Sequence, residues 1–420
     1  MELYASVLLI AMPSFLFLVV VEKIYGIWVN NDKSPIRDTL SSLCSGITNV
    51  VKDVLGISFS ILSYEFLVNN MSLFAIQNTF MVYLIAFFAI DFYGYWSHRI
   101  QHKFNIFWNI HVIHHSSEEF NLACALRQTI SSFFKLFTFL LIPAALLGVP
   151  ADVIAIVLPL HLFMQFWYHT QHIGKLGFLE KIIVTPSHHR VHHAINTEYL
   201  DKNLGQIFIF WDKIFGTFQE ELEDVTPVYG VTRPASTWNP IKINFQHLWL
   251  LIKDAWRSPK LIDKFRIWFM PTGWRPDGFD FKYPVNKIDN VYSFKKYNAF
   301  PSRELTVYSV VQMTFCILFV LHLFSSLVNI SLVYNYFGLL TYGFFIFIHV
   351  YCLTDLMDGN RFNWVFELLK ASFVVYIICF FDGWFGLPLY FTFSILLYQC
   401  ISFFISLYFI RKFSIKYLFK

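Results

Sequence analysis

Residues 79–115 read TFMVYLIAFFAIDFYGYWSHRIQHKFNIFWNIHVIHH, and the fold turns on this stretch. It opens as an apolar run long enough to cross a bilayer, a task that takes about 20 residues, and it carries five histidines toward its end. His98 and His102 close the run with HxxxH spacing, and His111, His114 and His115 follow as HxxHH. On a helix, positions i, i+3 and i+4 share a face, so each block can aim two or three imidazoles at one point. Asp91 lies two turns before His98 on that face. A charge inside a span costs about 2.5–3.5 kcal/mol even on lenient scales. We read Asp91 as an acceptor that orients a ligand imidazole; a local hydrogen bond to a neighbouring span is the alternative.

The rest of the chain reads as more of the same membrane. Its 420 residues are 56% hydrophobic and 14% charged, against about 25% charged in soluble domains. Apolar runs near 3–21, 54–68, 79–97, 129–148, 151–168, 306–329, 336–353, 364–381 and 388–410 predict about nine crossings. The fold class expected is all-α, a multi-pass helical bundle with a cytoplasmic, histidine-rich cap. Residues 1–78 and 306–420 would supply N- and C-terminal spans, 79–220 the catalytic domain, and 221–305 a cytoplasmic or interfacial segment. Lys and Arg are absent from 68–78, 148–151, 330–336 and 382–388, while the alternate loops carry Lys33, Arg37, Arg99, Lys103, Arg127, Arg361, Lys416 and Lys420. Positive residues favour the cytoplasmic side, so the N-terminus is expected outside and the C-terminus inside. The stretch 240–270 mixes Trp249, Trp256, Phe265 and Trp268 with Lys and Arg, as do helices that lie on a membrane surface; a packed face of the cytoplasmic domain is the alternative. A net charge of +4 is too small to argue for nucleic acid. Six scattered cysteines without CxxC spacing suggest neither a disulfide framework nor a zinc site.

Twelve of the 15 histidines fall between His98 and His193. A third block, His189, His192 and His193, repeats HxxHH after the next two apolar runs, and a round trip through the bilayer would return it to the side of the first two. Eight neutral imidazoles suit iron, zinc or copper rather than magnesium or calcium. Structural zinc needs only four ligands, usually including cysteine, so the count points to two metals with open positions. Iron is the choice if the task is to activate O2 against C–H bonds. A metal transporter would instead place its ligands near the bilayer midplane, at broken helices.

The motifs Asp91–Arg99 (DFYGYWSHR), HxxxH, both HxxHH blocks, Asp201-Lys202-Asn203 and Trp211–Thr217 (WDKIFGT) resemble the fatty acid hydroxylase/sterol desaturase superfamily over roughly 80–220. Within it, His114–Asn121 (HHSSEEFN), Ala125–Gln128 (ALRQ) and Thr185–His193 (TPSHHRVHH) look like the alkylglycerol monooxygenase branch, as do the extra C-terminal spans. The resemblance implies a non-haem di-iron centre that hydroxylates a lipid C–H bond. In this branch that is the carbon beside an ether oxygen, and the hemiacetal formed collapses to a fatty aldehyde and a glycerol. It implies a membrane lipid as substrate and an electron donor, tetrahydrobiopterin or a redox protein. The membrane would be the endoplasmic reticulum in a eukaryote and the cytoplasmic membrane in a bacterium. A sterol, carotenoid or acyl-chain substrate is the alternative.

Around the blocks, His169 follows an aromatic run and could be a ninth ligand. The branch commonly has an acidic residue near 172, where this chain has His172, and His188 offers an alternative register. Glu118, directly after the second block, could hold a histidine N–H or a substrate hydroxyl; a solvated loop is the alternative. Asn203 belongs to the shared DKN motif and is taken with Asp91 and Glu118 as part of the catalytic set. Arg127 could bind a pterin or a lipid head group; the alternative is an arginine that snorkels to the interface.

Overall fold

The computed structural model describes residues 2–30, 32–57, 59–60, 62–74, 76, 79–328 and 336–418. The loop 329–335, Lys420 and the side chain of Lys416, which enter the charge pattern, lie outside the described residues. In chain order the first helices are α1 (Glu2–Asn30), α2 (Ile36–Val54), α3 (Tyr64–Met71) and α4 (Phe80–Lys103). Then come α5 (Ile142–Leu146), α6 (Ala151–Phe163), α7 (Pro186–His193), α8 (Pro240–Arg257) and α9 (Leu261–Phe269). The last are α10 (Arg303–Val328), α11 (Tyr336–Met357), α12 (Asn363–Phe380) and α13 (Leu389–Leu418). The strands among the described residues are two residues each, Phe59–Ser60 paired in parallel with Phe134–Lys135. The all-α class therefore holds.

Two compact units divide the chain. One comprises Met1–Ile57, Ser236–Lys242 and Lys296–Lys420; the other comprises Ser58–Ala235 and Ile243–Lys295. The first is a bundle in which α10, α11, α12, α1 and α2 enclose Val51, Phe319, Tyr342, Phe345 and Trp384. It buries one ion pair, Lys370 to Glu367 at 3.0 Å, with Ser402 beside it. A groove of about 880 Å³ runs between α10 and α13. The polar groups along it are already satisfied, Tyr398 by Gln312 and Tyr308 by Ser402.

Among the described residues six helices are long and apolar enough to cross a membrane: Ala5–Val29, Phe80–Lys103, Arg303–Val328, Tyr336–Met357, Asn363–Phe380 and Leu389–Phe413. The chain is thus a multi-pass membrane protein. The other three expected crossings are shorter. The run 54–68 breaks where Ser63 caps a new helix, its hydroxyl accepting from Phe66 N. The run 129–148 is mostly irregular up to Phe137–Leu146, with Pro143 in the first turn of α5. Gly148, at φ +79°, then turns the chain into α6. The 13 residues of α6 rise only about 20 Å, short of the ~30 Å hydrocarbon core. A hydropathy scan sees continuous apolar sequence here and misses the breaks.

In the second unit α4 is the one long apolar helix among the described residues. α6 lies along it, sharing the cluster of Val82, Ala86, Ile90, Val153, Ile154 and Val157. The chain leaves α6 at a point where His161 faces Asp91. The apolar stretch through α5 and α6 therefore returns the sequence to the histidine end of α4.

Candidate metal centre

Nine histidines gather in two groups at that end. Potential ligand atoms of His98, His102, His111, His115 and His192 lie within 4.8 Å of one another, and so do those of His114, His169, His189 and His193. The partition follows from helix geometry. At about 100° per residue, positions i and i+4 diverge by only 40°, whereas i+3 points 60° to the other side. In the block 111–115, His111 and His115 serve the first group and His114 the second. In the block 189–193 the roles reverse: His189 and His193 serve the second group and His192 the first. Each HxxHH block thus sends two imidazoles to one group and the third to the other. Each straddles two.

The atoms at the centre of each group are mostly Nε2. His98 Nδ1 donates to Leu204 O at 2.8 Å and His192 Nδ1 to Lys202 O at 3.0 Å. His102 Nδ1 meets Asp201 Oδ1 at 3.0 Å. In the second group His169 Nδ1 donates to Gln165 O at 2.9 Å and His114 Nδ1 to Arg127 O at 3.3 Å. A carbonyl only accepts, so these contacts place the proton on Nδ1 and leave the Nε2 lone pair facing inward. Those lone pairs crowd together. His98 and His111 Nε2 are 2.9 Å apart, His189 and His169 2.8 Å, His193 and His189 3.0 Å, and His193 and His114 3.1 Å. Two nitrogens on one metal at about 2.05 Å and at right angles sit ~2.9 Å apart. His102 Nε2 and His192 Nε2 are buried without a protein partner. Spacing and tautomer fit a cation in each group, and the orphaned acceptors add to that in the first.

Burial first, and then repulsion from neighbouring imidazoles, holds His115, His189 and His193 well below the ordinary histidine range. His114 is pushed down to about 3, chiefly by burial. Neutral imidazole is the form that binds metal.

Local structure explains how α7 delivers its side chains. Thr185 caps the helix, Pro186 occupies its first turn, and His188 returns a ring nitrogen to the cap. His188 also meets Glu180 at 3.1 Å. It is a capping residue, and His189 rather than His188 lies in the second group. Arg190 pairs with Glu221 at 2.7 and 2.8 Å and donates to Thr170 O and Ile173 O, locking α7 to the segment after His169. His172 joins neither group.

The remaining expected site residues lie around the two groups. Asp91 is fully buried, but its bonds go to His161, Ile207 N, Phe208 N and Trp211 Nε1, none to the nine histidines. Its effect on a ligand is indirect, through α6: Gln165 contacts His161 Nδ1 at 3.2 Å, and its carbonyl receives His169. Asn203 is not at the centre either. Its side chain donates to His188 O and Gln219 O and accepts from Gln219 N. With a backbone φ of +52°, it clasps the 201–204 loop beneath the first group. Arg127 is 2% exposed, with its guanidinium on Ser116 Oγ, so it is no snorkelling side chain. Glu118 is half-buried, its Cγ close beside Gly230. Asp201, quoted in the DKN motif without a role, touches His102.

Residues 83–217 match the fatty acid hydroxylase family model. The chain is 37% identical over 328 residues to the alkylglycerol monooxygenase of Homo sapiens, covering 76% of this chain and 72% of that protein. It is 34% identical over 292 residues to the Xenopus tropicalis alkylglycerol monooxygenase, covering 69% and 65%. A Delta(7)-sterol 5(6)-desaturase of Gibberella zeae is 25% identical over 150 residues, 33% of this chain and 42% of that protein. No solved structure matches.

Proposed function

The chain belongs to the alkylglycerol monooxygenase branch of the fatty acid hydroxylase family, and from that premise we propose that this membrane-lipid oxidoreductase oxidises the ether-linked carbon of an alkylglycerol at two irons. The observation that carries the reading is the pair of converging Nε2 groups, five and four strong, on one wall of neutral imidazoles. His98, His102, His111, His115 and His192 would hold one iron; His114, His169, His189 and His193 would hold the other. Bound iron would supply the activation of O2 for insertion into a C–H bond.

The protein's part is to hold, orient and exclude. The 201–204 loop fixes the tautomers of three first-group ligands. Phe120 stacks at 5.9 Å on His169 and Tyr168 lies 4.3 Å from His189, giving the second group an apolar wall. Four protein nitrogens leave more room for a reactant than five, so oxidation is assigned to the second group. The overall reaction consumes one lipid, one O2, two electrons and two protons. It yields water and a hemiacetal, which breaks its C–O bond to an aldehyde and a free glycerol hydroxyl. A reduced pterin, or another two-electron donor, supplies the electrons. The Lys/Arg distribution supports a cytoplasmic position for the site.

The test supplies membranes containing the protein with a 1-O-alkylglycerol, O2 and a reduced pterin, and measures fatty aldehyde. Aldehyde that disappears in His189→Ala and persists in His322→Ala, in the other unit, is expected. Turnover of a sterol or acyl lipid, with no aldehyde from any donor, would transfer the protein to the sterol-desaturase reading that the Gibberella zeae relative favours.

A further inference from the structure

α8 and α9 have two apolar faces where one would suffice for packing. The inner face of α8 buries Ile243, His247, Leu251 and Asp254, at helical spacing. Its outer face shows Trp249, Ile252 and Trp256, the last 84% exposed. α9 repeats the pattern, with Ile267 buried and Leu261, Ile262, Phe265 and Phe269 exposed. Phe281, farther along, is 95% exposed. Neither helix is among those long and apolar enough to span. Soluble surfaces rarely gather this many large apolar side chains. The rim is basic: Lys253, Arg257, Lys260 and Lys264 border the apolar face.

We propose that the outer face of α8 and α9, with Phe281, is an in-plane anchor seated in the head-group layer of the bilayer, and that it sets the depth of the histidine centre. Tryptophan and phenylalanine flanked by lysine and arginine match the boundary between acyl chains and lipid phosphates. The second half of the inference rests on the hydrogen bonds behind the anchor. Thr272 N donates to Lys103 O at 3.0 Å and Asn105 N to Met270 O at 3.1 Å. Thr272 Oγ1 donates to His102 O, and Asn105 Nδ2 to Ile267 O at 2.9 Å. From α8, His247 Nε2 donates to Asn105 O at 2.9 Å, and Asn109 Oδ1 accepts from Leu248 N at 3.0 Å. Residues 102–109 join the HxxxH block to the first HxxHH block. The anchor therefore grips the connector between two ligand blocks, and the height of α8 and α9 in the lipid becomes the height of the metal ligands.

The test uses full-length protein in lipid nanodiscs, with exposed Cys379 and Cys400 replaced by serine. A fluorophore is attached through Trp256→Cys, through Phe265→Cys on the second helix, or through Glu223→Cys as an exposed control in the same unit. Lipids carrying a nitroxide near the head group should quench the labels at 256 and 265 severalfold more than the label at 223, while aqueous iodide should do the reverse. Equal lipid quenching at all three sites would overturn the anchor. Shielding of 256 and 265 from both quenchers would also overturn it, by putting a protein partner on the face. The readout needs no turnover, so it stands or falls separately from the alkylglycerol assignment.

Discussion

The five-histidine and four-histidine groups draw on the same two HxxHH blocks, yet they are fixed by different means. Three imidazoles of the first group are held by one short loop: Leu204 O, Lys202 O and the Asp201 carboxylate. The second group has no such shared support. His169 is held by its own helix turn at Gln165, His114 by the backbone of Arg127, and α7 by Arg190 on Glu221. One carboxylate touches the first group and none is bonded to the second among the described residues. A carboxylate on Nδ1–H raises ligand basicity more than a carbonyl does. The first group thus has the features of a tight, nearly closed site, and the second those of a more open one beside aromatic rings.

Removing one ligand from each group tests that contrast most harshly. His193→Ala cuts the second group to three nitrogens and should lower iron from about two per chain to about one, with activity lost beyond the 100-fold or so typical of outer contacts. His115→Ala leaves four nitrogens in the first group and should retain most of its metal. Elemental analysis reads both, and equal metal loss in the two variants would erase the distinction between the groups.

Asp91→Ala should come next. It strands His161 and Trp211 beside the base of α6, at a cost of about 3 kcal/mol, read as a lower melting temperature. The second group should lose metal before the first, because His169 follows α6; the opposite order would break the link. Asp201→Ala should weaken the first group alone by about 10-fold or more, measured by competition with a chelator, and Asp201→Asn, which keeps an acceptor, should recover much of it. The smallest effect belongs to His188→Ala. Loss of a cap costs about 1 kcal/mol, and metal content should stay unchanged; a drop in iron would return His188 to the ligand set.

Much of this arrangement was legible before any coordinates. Spacing and count single out eight of the nine histidines that the structure gathers, because so many imidazoles at the end of an apolar run are costly to bury unless they bind something; His169 stood out only by its place after an aromatic run. Their division was not legible, since a 100° difference between i+3 and i+4 acquires meaning only when a second block lies opposite. The partners of Asp91 were hidden for a related reason. Periodicity shows which face it shares with His98, but His161 and the backbone of 207–208 arrive from far along the chain. Asn203 and Asp201 sit in loop backbone with positive φ, where no periodic pattern exists to read. Among the described residues, three of the expected crossings are shorter or broken elements rather than single long helices, because Pro143, Gly148 and Ser63 interrupt runs that hydropathy averages over.

The exchange of roles between the two HxxHH blocks has a consequence for assembly. Neither centre can be completed without both the 111–115 turn and α7, so whichever ion arrives first must bring those two segments into register. The second ion then meets ligands whose backbone has already been ordered, and it loses less conformational freedom on binding. Iron loading should consequently be cooperative: at substoichiometric supply, chains with two ions or none should outnumber chains with one.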